Sequence, residues 1–546
     1  MRALFFPNKE TKNSIITLNK MVKKLINWIF AAEVILFGLI ITGILPRETA
    51  LYLAAGLAAY VLLAPVEDAV VLFIRSIPLF LALPFTADFD NFNTWRILAA
   101  LIFIKWFAAK FLISKSEFLN NFKIPNPKFK ISNFRIPLIL LLAFATLSIV
   151  PAADKILAVK RIIYFLNLSL IGVVIFDLAR KSDTAKRFIK NISVPVIIVT
   201  LVGMVQLVST YFIDIYQFMR IWGEGIQCRQ FGSQWCSIAV ELGNTWFAYY
   251  GEQLSLRVFS LFPDSHSFPQ FVLLGLPAIF ALALSKFGIN DFENLKKMYR
   301  TRTRLIIILV PMVFLVAILS GTRGIWAASV GVLLFMFIIF KKFQRTVVAK
   351  EHKNLFKYLA TYMVIFFMLF SVAYPIFVSP QFLLSKGSFG LFGSRIRSII
   401  DFGETSNNQR IAIWKETVES IKDKPFLGVG IGNFPVVLGQ DLFLAKAGSS
   451  AHNLYLQIAA EMGVAALAAA IWFLVVLLNK TFHNFVREKD QVIAVYNGAS
   501  LLTIPWVLMY SFTDVALFDE RAFLIFIAVS AIILGTKNSS KDESSH

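Results

Sequence analysis

Long apolar runs separated by polar connections are the feature that most constrains the fold of this chain. A helix that crosses the roughly 30 Å hydrocarbon core of a bilayer needs about 20 apolar residues. With 57% hydrophobic residues and a mean hydropathy of +0.69, the chain has more apolar surface than a soluble fold can bury. It therefore predicts an all-α polytopic membrane protein with about 12–14 transmembrane helices. The candidate spans lie near 26–45, 50–64, 67–84, 95–114, 136–150, 158–178, 193–213, 268–285, 304–320, 324–340, 356–378, 453–478, 494–511 and 521–536.

Basic residues are distributed unevenly between the predicted connections. The chain has 54 Lys and Arg residues against 33 Asp and Glu residues, and a formal net charge of +21. Many of the basic residues fall in four alternate connections, 115–135, 179–192, 286–304 and 341–357. Cytoplasmic connections of membrane proteins are enriched in Lys and Arg. The pattern predicts cytoplasmic N- and C-termini, and it accounts for the charge without a nucleic-acid partner.

The predicted topology divides the chain into three parts. A cytoplasmic N-terminal segment covers 1–25, a membrane domain covers 26–536, and a cytoplasmic tail covers 537–546. The first segment is basic and polar and leads into the first span with no small-residue cleavage site, which is typical of an uncleaved signal anchor. Two longer connections, 214–267 and 379–451, are predicted to form extracytoplasmic inserts.

The only two cysteines of the chain, Cys228 and Cys236, both lie in the first insert. An oxidising exterior permits a disulfide bond across this short loop. A pair of unbonded thiols is the alternative, and the sequence does not decide between the two.

The second insert contains a predicted amphipathic helix. Ile411, Trp414, Val418 and Ile421 follow the spacing of one helical face, with Asn407 or Asn408 as the cap and Pro425 as the stop. The glycines that follow, at 428, 430 and 432, lack the strand–turn–helix context of a dinucleotide-binding loop. We interpret them as a flexible turn.

His452 lies where the second insert enters the predicted span at 453–478. With Ser449 or Ser450 as N-cap, His452 would occupy the first helical turn. The positive end of the helix dipole there favours a bound anion and disfavours imidazolium. A neutral imidazole beside an anion site can act as a general base while the charge of a leaving phosphate is stabilised nearby.

Helical spacing gives the predicted orientation of this histidine. His452, Leu456, Ala459 and Gly463 fall on nearly one stripe of a continuous helix, and small residues on a stripe permit close helix contact. The histidine should therefore point into the bundle. Glu461 lies on the opposite side of this helix, as an intramembrane carboxylate that does not contact His452.

Arginines on the extracytoplasmic side are the candidates for holding an anion, because a guanidinium binds phosphate through a planar fork of donors. Arg323 lies in a tight turn between two spans, Arg410 lies at the start of the amphipathic helix, and Arg257 precedes "FSLFPDSHSF". His266, in that same segment, is a second candidate for the active histidine and ranks below His452. No cluster of His, Cys, Asp and Glu in the sequence has metal-ligand spacing.

Three segments resemble the O-antigen ligase family. "AHNLYLQIAAEMGVAA" (451–466) is similar to the family's His-Asn signature, with His452 and Asn453 followed by Gly463; Ala466 replaces the family's second glycine. "RIAIWKETVESIKDKPFLGVGIGNF" (410–434) and "LSGTRGIWAA" (319–328) resemble the segments that precede the signature. The resemblance covers roughly 255–480 in order and spacing.

The resemblance implies a metal-independent membrane glycosyltransferase of the GT-C-like class, without a cofactor. Such enzymes transfer a glycan from a polyprenyl diphosphate carrier, such as undecaprenyl diphosphate, to a lipid, glycan or protein acceptor at the outer face of the bacterial inner membrane. They serve lipopolysaccharide and other cell-envelope polysaccharide synthesis. Carried over to this chain, His452 would be the catalytic base and Arg323 a donor-diphosphate contact. Arg410 and Arg257 would be further diphosphate contacts.

Two alternatives stay open at this stage. A repeat-unit polysaccharide polymerase of the same superfamily uses the same donor chemistry, with a growing chain as acceptor. A transporter or flippase of lipid-linked sugars belongs to a different class and favours charges midway through spans and inverted repeats. Glu33, Asp177, Glu461 and Asp514 lie in or near spans, but no repeat is visible.

Overall fold

The computed structural model describes residues 9–86, 92–120, 134–233, 235–236, 246–250, 253–284, 301–344, 349–378, 405–440 and 449–536. The helices are α1 (Lys9–Ile41), α2 (Thr49–Leu63), α3 (Val66–Ser76), α4 (Thr94–Asn120), α5 (Arg135–Leu147), α6 (Lys155–Leu178), α7 (Ser182–Ser209), α8 (Ile215–Phe218), α9 (Cys228–Phe231), α10 (Ser267–Leu284), α11 (Thr301–Leu319), α12 (Arg323–Gln344), α13 (Ala349–Val378), α14 (Thr405–Asp423), α15 (Leu454–Met462), α16 (Val464–Arg487), α17 (Gln491–Tyr510) and α18 (Glu520–Gly535). A π-helical segment, Met219–Gln227, joins α8 to α9. Two short antiparallel pairs unite β1 (Ala82–Leu83) with β2 (Phe92–Asn93), and β3 (Phe247–Tyr250) with β4 (Gln253–Leu256).

The helices lie where the apolar runs predict them. Four of them, α6, α7, α16 and α17, are long and apolar enough to cross a membrane, and shorter apolar helices lie on seven more of the predicted runs. The prediction of an all-α polytopic membrane protein is confirmed. The run at 67–84 differs: α3 ends at Ser76, and a short 3₁₀ turn over Ile77–Leu79 follows. Pro78 has no amide hydrogen to continue the α-helix.

α17 is the most enclosed of the candidate spanning helices. Most of its residues are buried, and it packs against α10, α12 and α16. The indole nitrogen of Trp506 donates a hydrogen bond of 2.9 Å to the carbonyl of Ile325 in α12. A Cβ atom at Gly324 would overlap the hydroxyl of Thr513, so the Arg323 turn and the loop after α17 are in close contact. These contacts place the loop 511–519 beside the start of α12.

The first insert carries the segment that leads into α10. The side-chain oxygen of Gln206 in α7 accepts hydrogen bonds from the backbone amides of Phe259 and Ser260, each of 3.0 Å. The amide of Val258 donates to the carbonyl of Leu319 at the end of α11, over 3.0 Å. Cys228 and Cys236 are joined by a disulfide bond within the same insert. The segment around Arg257 is thus fixed between α7 and α11.

The predicted span at 453–478 is not one continuous helix. α15 ends at Met462, and Gly463 has a φ of +90° that breaks the helix before α16 begins. A Cβ atom at Gly463 would overlap the carbonyl of Phe426, and one at Gly428 would overlap the carbonyl of Ala460. Glycine is required at both positions because the second insert packs directly against this break. The stripe predicted to run from His452 to Gly463 along one helix is therefore wrong.

The glycine-rich segment after α14 is a hydrogen-bonded turn. Gly428, Gly430 and Gly432 have φ angles of +63°, +99° and +80°. The amides of Val429 and Gly430 donate to the carbonyls of Ala460 and Glu461, over 2.8 and 3.0 Å. The turn therefore satisfies carbonyls at the end of α15 that have no partner within that helix.

The predicted amphipathic helix is present, but its boundaries and its packed face differ. α14 begins at Thr405, before the predicted Asn407 or Asn408 cap, and ends at Asp423 before Pro425. Thr417 is fully buried, whereas Val418 on the predicted face is exposed. Ile413 and Ile421 pack against a small cluster of Phe434, Ala451 and Ala460. The turn after α14 and the loop before α15 fix this rotation of the helix.

Some of the predicted segments differ from the structure or lie outside it. α1 begins at Lys9, within the N-terminal segment predicted at 1–25. The tail at 537–546 lies outside the described residues, as do 379–404 and 441–448 of the insert predicted at 379–451.

Candidate functional site

His452 lies immediately before α15 and not in its first turn. Asn453 is the N-cap, and its side-chain oxygen accepts hydrogen bonds from the amides of Tyr455 and Leu456, over 3.0 and 3.1 Å. The predicted caps, Ser449 and Ser450, are therefore wrong, because Asn453 is the residue that satisfies the free amides of the helix. The helix dipole still begins within two residues of His452.

The backbone of His452 has a φ of +45°, in the left-handed region that side chains other than glycine rarely adopt. Hydrogen bonds on both sides hold it there. The indole of Trp414 donates to the carbonyl of Ala451 over 2.9 Å, and the side-chain oxygen of Gln457 accepts from the amide of Ala451 over 2.8 Å. The amide of Leu454 donates to the carbonyl of Ser511 over 2.8 Å. Such conformations persist where the surrounding structure determines them, and they cluster at functional sites.

Arg257, His266 and Asp514 form a chain of polar contacts. A guanidinium nitrogen of Arg257 lies 2.8 Å from Nε2 of His266, and Nδ1 of His266 lies 3.2 Å from a carboxylate oxygen of Asp514. Arginine can only donate, so Nε2 accepts the hydrogen bond and neutral His266 carries its proton on Nδ1, facing Asp514. The other oxygen of Asp514 accepts hydrogen bonds from the amides of Val515 and Ala516, over 2.8 and 3.0 Å.

The segment around His266 is fixed by its own turn. One carboxylate oxygen of Asp264 accepts hydrogen bonds from the amides of His266 and Ser267, over 2.7 and 2.8 Å. The hydroxyl of Thr322 donates to the carbonyl of Ser265 over 2.8 Å. This contact joins the segment before α10 to the turn that carries Arg323.

The remaining predicted arginines lie around this chain. Arg410 at the start of α14 interacts electrostatically with both His266 and His452. Arg323, the first residue of α12, interacts electrostatically with Arg257. All the arginines and histidines named as site candidates are therefore grouped at one end of the bundle, and all are partly exposed.

The electrostatic environment keeps both histidines neutral near pH 7. Burial lowers the pKa of His452 below 6.5; Asp514 opposes this shift and Arg410 adds to it. Burial also lowers the pKa of His266, against the attraction of Asp514. Burial alone would raise the pKa of Asp514, but His266, His452 and Arg410 lower it below its ordinary value. Burial lowers the pKa of Arg257 to about 10, so its guanidinium stays charged.

This arrangement places a possible proton acceptor at the same end of the bundle as several cations. His452 supplies a neutral imidazole that interacts with Arg410, while Arg257 contacts His266 and interacts with Arg323. A neutral base next to fixed cations suits a reaction in which a hydroxyl loses its proton while a phosphate leaves.

Comparison with known protein families bears on the same part of the chain. A sequence model described as O-antigen ligase matches residues 307–471. This region of the chain is therefore similar to the O-antigen ligase domain. The predicted resemblance to the O-antigen ligase family is confirmed, and the domain supports glycosyltransferase activity of the ligase or polymerase type in a membrane protein. No curated protein matches the chain.

The O-antigen ligase domain contains only part of the site. Arg323, Arg410 and His452 lie within 307–471, whereas Arg257 and Asp514 lie outside it. The site therefore depends on segments both before and after the matched region.

Asp514 is the site residue that sequence reasoning missed. The sequence marks it only as a charge near a span, and nothing in its local pattern "SFTDVALF" points to a histidine partner. The one available signal is its position at the end of an apolar run, on the side predicted to be extracytoplasmic. Glu461, predicted to be an intramembrane carboxylate that does not contact His452, lies at the far end of α15, where it accepts a hydrogen bond of 2.7 Å from the side-chain amide of Gln457.

Proposed function

We propose that the protein transfers a glycan from a polyprenyl diphosphate carrier to an acceptor hydroxyl or amine, as an O-antigen ligase-type enzyme at the outer face of the bacterial inner membrane. The observation that carries this proposal is the grouping of His452 with Arg257, Arg323 and Arg410 at one end of the bundle. A donor that is both apolar and diphosphate-bearing suits a cationic site at the end of apolar helices.

In the proposed step, His452 is the general base. The acceptor oxygen or nitrogen attacks the anomeric carbon of the donor glycan while its proton passes to the imidazole of His452. The bond between the anomeric carbon and the diphosphate oxygen breaks, and the diphosphate leaves with the electron pair. Arg323 and Arg410 stabilise the negative charge that develops on the leaving group, with Arg257 behind them. The step uses no metal ion or cofactor.

The contacts of His266 support His452 as the base. Nε2 of His266 accepts from Arg257 and its Nδ1 faces Asp514, so both ring nitrogens already have partners. Among the contacts of the described residues, His452 forms a hydrogen bond only through its backbone amide, which donates to the hydroxyl of Ser450 over 3.3 Å. A base needs a free lone pair directed at its substrate.

A repeat-unit polymerase remains the alternative function, because it uses the same donor and the same base. The two differ in the acceptor. Deletion in the native host followed by analysis of surface glycans separates them: loss of all attached polymer indicates a ligase, and retention of single attached repeat units indicates a polymerase.

The proposal is tested by complementing this deletion with His452→Asn. Asparagine tolerates the left-handed backbone of residue 452 but is a far weaker base, so the variant should fold and transfer should fall by at least about a hundredfold. His483→Asn, near the C-terminal end of α16 and far along the chain from His452, is the matched control and should restore transfer fully. Full activity in His452→Asn, with normal amounts of protein in the membrane, contradicts the proposed chemistry.

A further inference from the structure

The first insert contains a loop closed by the disulfide bond between Cys228 and Cys236, eight residues apart, which we call the disulfide loop. These are the only cysteines of the chain, and both are partly exposed. The π-helical segment Met219–Gln227 leads into the loop; its Arg220 is exposed, whereas Gln227 is fully buried. An accessible bond is thus next in the chain to a buried polar side chain.

Gln227 is hydrogen-bonded to the segment that carries Arg257 and His266, which we call the site segment (257–266). Its side-chain amide donates to the carbonyls of Phe262 and Ser260, over 2.9 and 3.4 Å. Buried carbonyls of this kind need a donor, because leaving them without one is unfavourable. The residue that precedes the disulfide loop therefore helps to fix the backbone between the two site residues.

The backbone of Ser260 shows that the site segment needs such support. Its φ is +52°, and among the described residues His452 is the one other non-glycine residue with a positive φ. The amide of Ser260 donates to Gln206 over 3.0 Å, and its hydroxyl donates to the carbonyl of Val199 over 2.7 Å. A conformation of this kind persists only where the surrounding structure determines it. Gln227 is one of the groups that do so.

An aromatic chain joins the disulfide loop to Arg257 by a second route. The ring centroids of Phe231 and Trp235, both within the loop, lie 4.9 Å apart, and that of Trp235 lies 6.2 Å from that of Trp246. Trp246 stacks on Phe259 at 5.7 Å, and its backbone carbonyl accepts a hydrogen bond of 2.8 Å from the amide of Arg257. Because these rings are closely packed, a change in the shape of the loop also acts on the backbone of Arg257.

The other side of the disulfide loop is attached to the membrane bundle. The side-chain amide of Gln230 donates to the carbonyl of Pro78 over 3.0 Å. The guanidinium of Arg521 in α18 lies 4.4 Å from the ring centroid of Phe231 and donates to the carbonyl of Phe80 over 2.7 Å. The loop is therefore a bridge between the bundle and the site segment, and the disulfide bond restricts its shape.

We propose that the disulfide bond between Cys228 and Cys236 controls the activity of the protein, because the closed loop positions Arg257 and His266 through Gln227. This rests on the proposed function, in which Arg257 serves the donor diphosphate. An oxidising exterior keeps the bond closed, so the closed form is the active one.

Opening of the loop is a thiol–disulfide exchange with a dithiol reductant. One thiolate of the reductant attacks a sulfur of the bond and forms a mixed disulfide. The second thiol of the reductant then closes a disulfide within the reductant, and Cys228 and Cys236 are released as thiols. Two electrons and two protons pass from the reductant to the cysteine pair. Gln227 then lacks the closed loop that fixes its position.

Transfer by the full-length protein in detergent, before and after treatment with dithiothreitol, tests the proposal. Because the chain has no other cysteines, the reductant acts at this bond alone. KM for the lipid-linked donor should rise about tenfold, with less than about twofold change in KM for the acceptor, as expected if a guanidinium contact to the donor is misplaced. Reoxidation with oxidised glutathione should restore the donor KM. Mass spectrometry after thiol alkylation reports the state of the bond.

Gln227→Met keeps the size of the side chain but removes its hydrogen-bond donor. In the oxidised protein it should raise the donor KM to the same extent as reduction does, with little further effect of dithiothreitol. Gln230→Met is the matched control, since Gln230 is an equally buried glutamine whose amide donates to Pro78, away from the site segment. Its donor KM should stay within about twofold of that of the unmodified protein, because Arg521 still holds that side of the loop.

Hydrogen exchange gives a readout that does not depend on transfer. Reduction should speed exchange at the amides of Arg257 and Ser260, while α10 and α17 stay protected. Unchanged exchange and an unchanged donor KM after complete reduction overturn the proposal. An equal rise in both KM values, with faster exchange throughout the protein, also overturns it, because the bond would then serve general stability alone.

The two proposals fail in different ways. If His452→Asn keeps transfer while reduction still raises the donor KM, the proposed catalytic role of His452 fails and the control by the disulfide bond stands. If His452→Asn loses transfer while reduction has no effect, the proposed function stands and the control by the disulfide bond fails.

Discussion

Arg257 donates a hydrogen bond of 2.8 Å to Nε2 of His266. This contact fixes the tautomer of His266 and places its remaining proton towards Asp514, 3.2 Å away. The neutral ring of His266 thereby orients Arg257, and the carboxylate of Asp514 orients that ring. The sequence placed Arg257 and His266 nine residues apart as independent candidates, and the structure joins them.

The pH dependence of transfer should report His452. Because burial lowers the pKa of His452, the neutral form persists below pH 6.5, and the rate should fall only as pH drops through that lowered pKa. His266→Gln should keep this acidic limb, since His266 is not the base. Rate measurements between about pH 4.5 and 8 check this. Loss of the limb in His266→Gln would assign the titration to His266 instead.

Asp514→Asn should shift the acidic limb to lower pH. The carboxylate of Asp514 raises the pKa of His452 against the effects of burial and Arg410, so removing its charge lowers that pKa further. The rate should also fall by about tenfold, because His266 and Arg257 lose their orientation. The pH–rate profile is the decisive measurement, since a purely structural defect would reduce the rate without moving the limb.

Arg323→Lys should weaken the use of the lipid-linked donor. Lysine keeps the positive charge but lacks the planar fork that binds two phosphate oxygens. We expect KM for the donor to rise about tenfold with a smaller change in KM for the acceptor. Arg220→Lys is the control. Donor dependence identical to that of the unmodified protein would show that Arg323 serves only the turn before α12.

Gly428→Ala and Gly439→Ala form a matched pair for stability. Both glycines have a φ of +63°, but a Cβ atom at Gly428 would overlap the carbonyl of Ala460, whereas one at Gly439 meets nothing within 4 Å. Gly439→Ala should cost about 1 kcal/mol from the backbone alone, and Gly428→Ala about 3 kcal/mol. Thermal unfolding in detergent compares them. Equal losses would mean that the turn does not pack on α15 in the membrane.

The fold class and the main site candidates could be predicted from the apolar runs and from the motifs around His452. Fold class follows from hydropathy because a bilayer imposes a helical backbone on long apolar segments. The sequence also placed Arg257, Arg323, Arg410 and His452 on one side, since loop charges indicate orientation.

The local geometry was less predictable, because tertiary contacts decide it. Whether a serine or Asn453 caps α15 depends on which backbone amides the first turn of the helix leaves free. The break at Gly463 depends on the packing of Phe426 against it. The partnership of Asp514 with His266 joins residues 248 positions apart on different loops. No local pattern encodes such a pair.

The left-handed backbone of His452 bears on any attempt to alter the acceptor range of the protein. The backbone on either side of it is held by hydrogen bonds with Trp414, Gln457 and the carbonyl of Ser511. A mutant library meant to change acceptor range should therefore leave those three anchors unchanged, because turnover depends on the backbone that carries the imidazole.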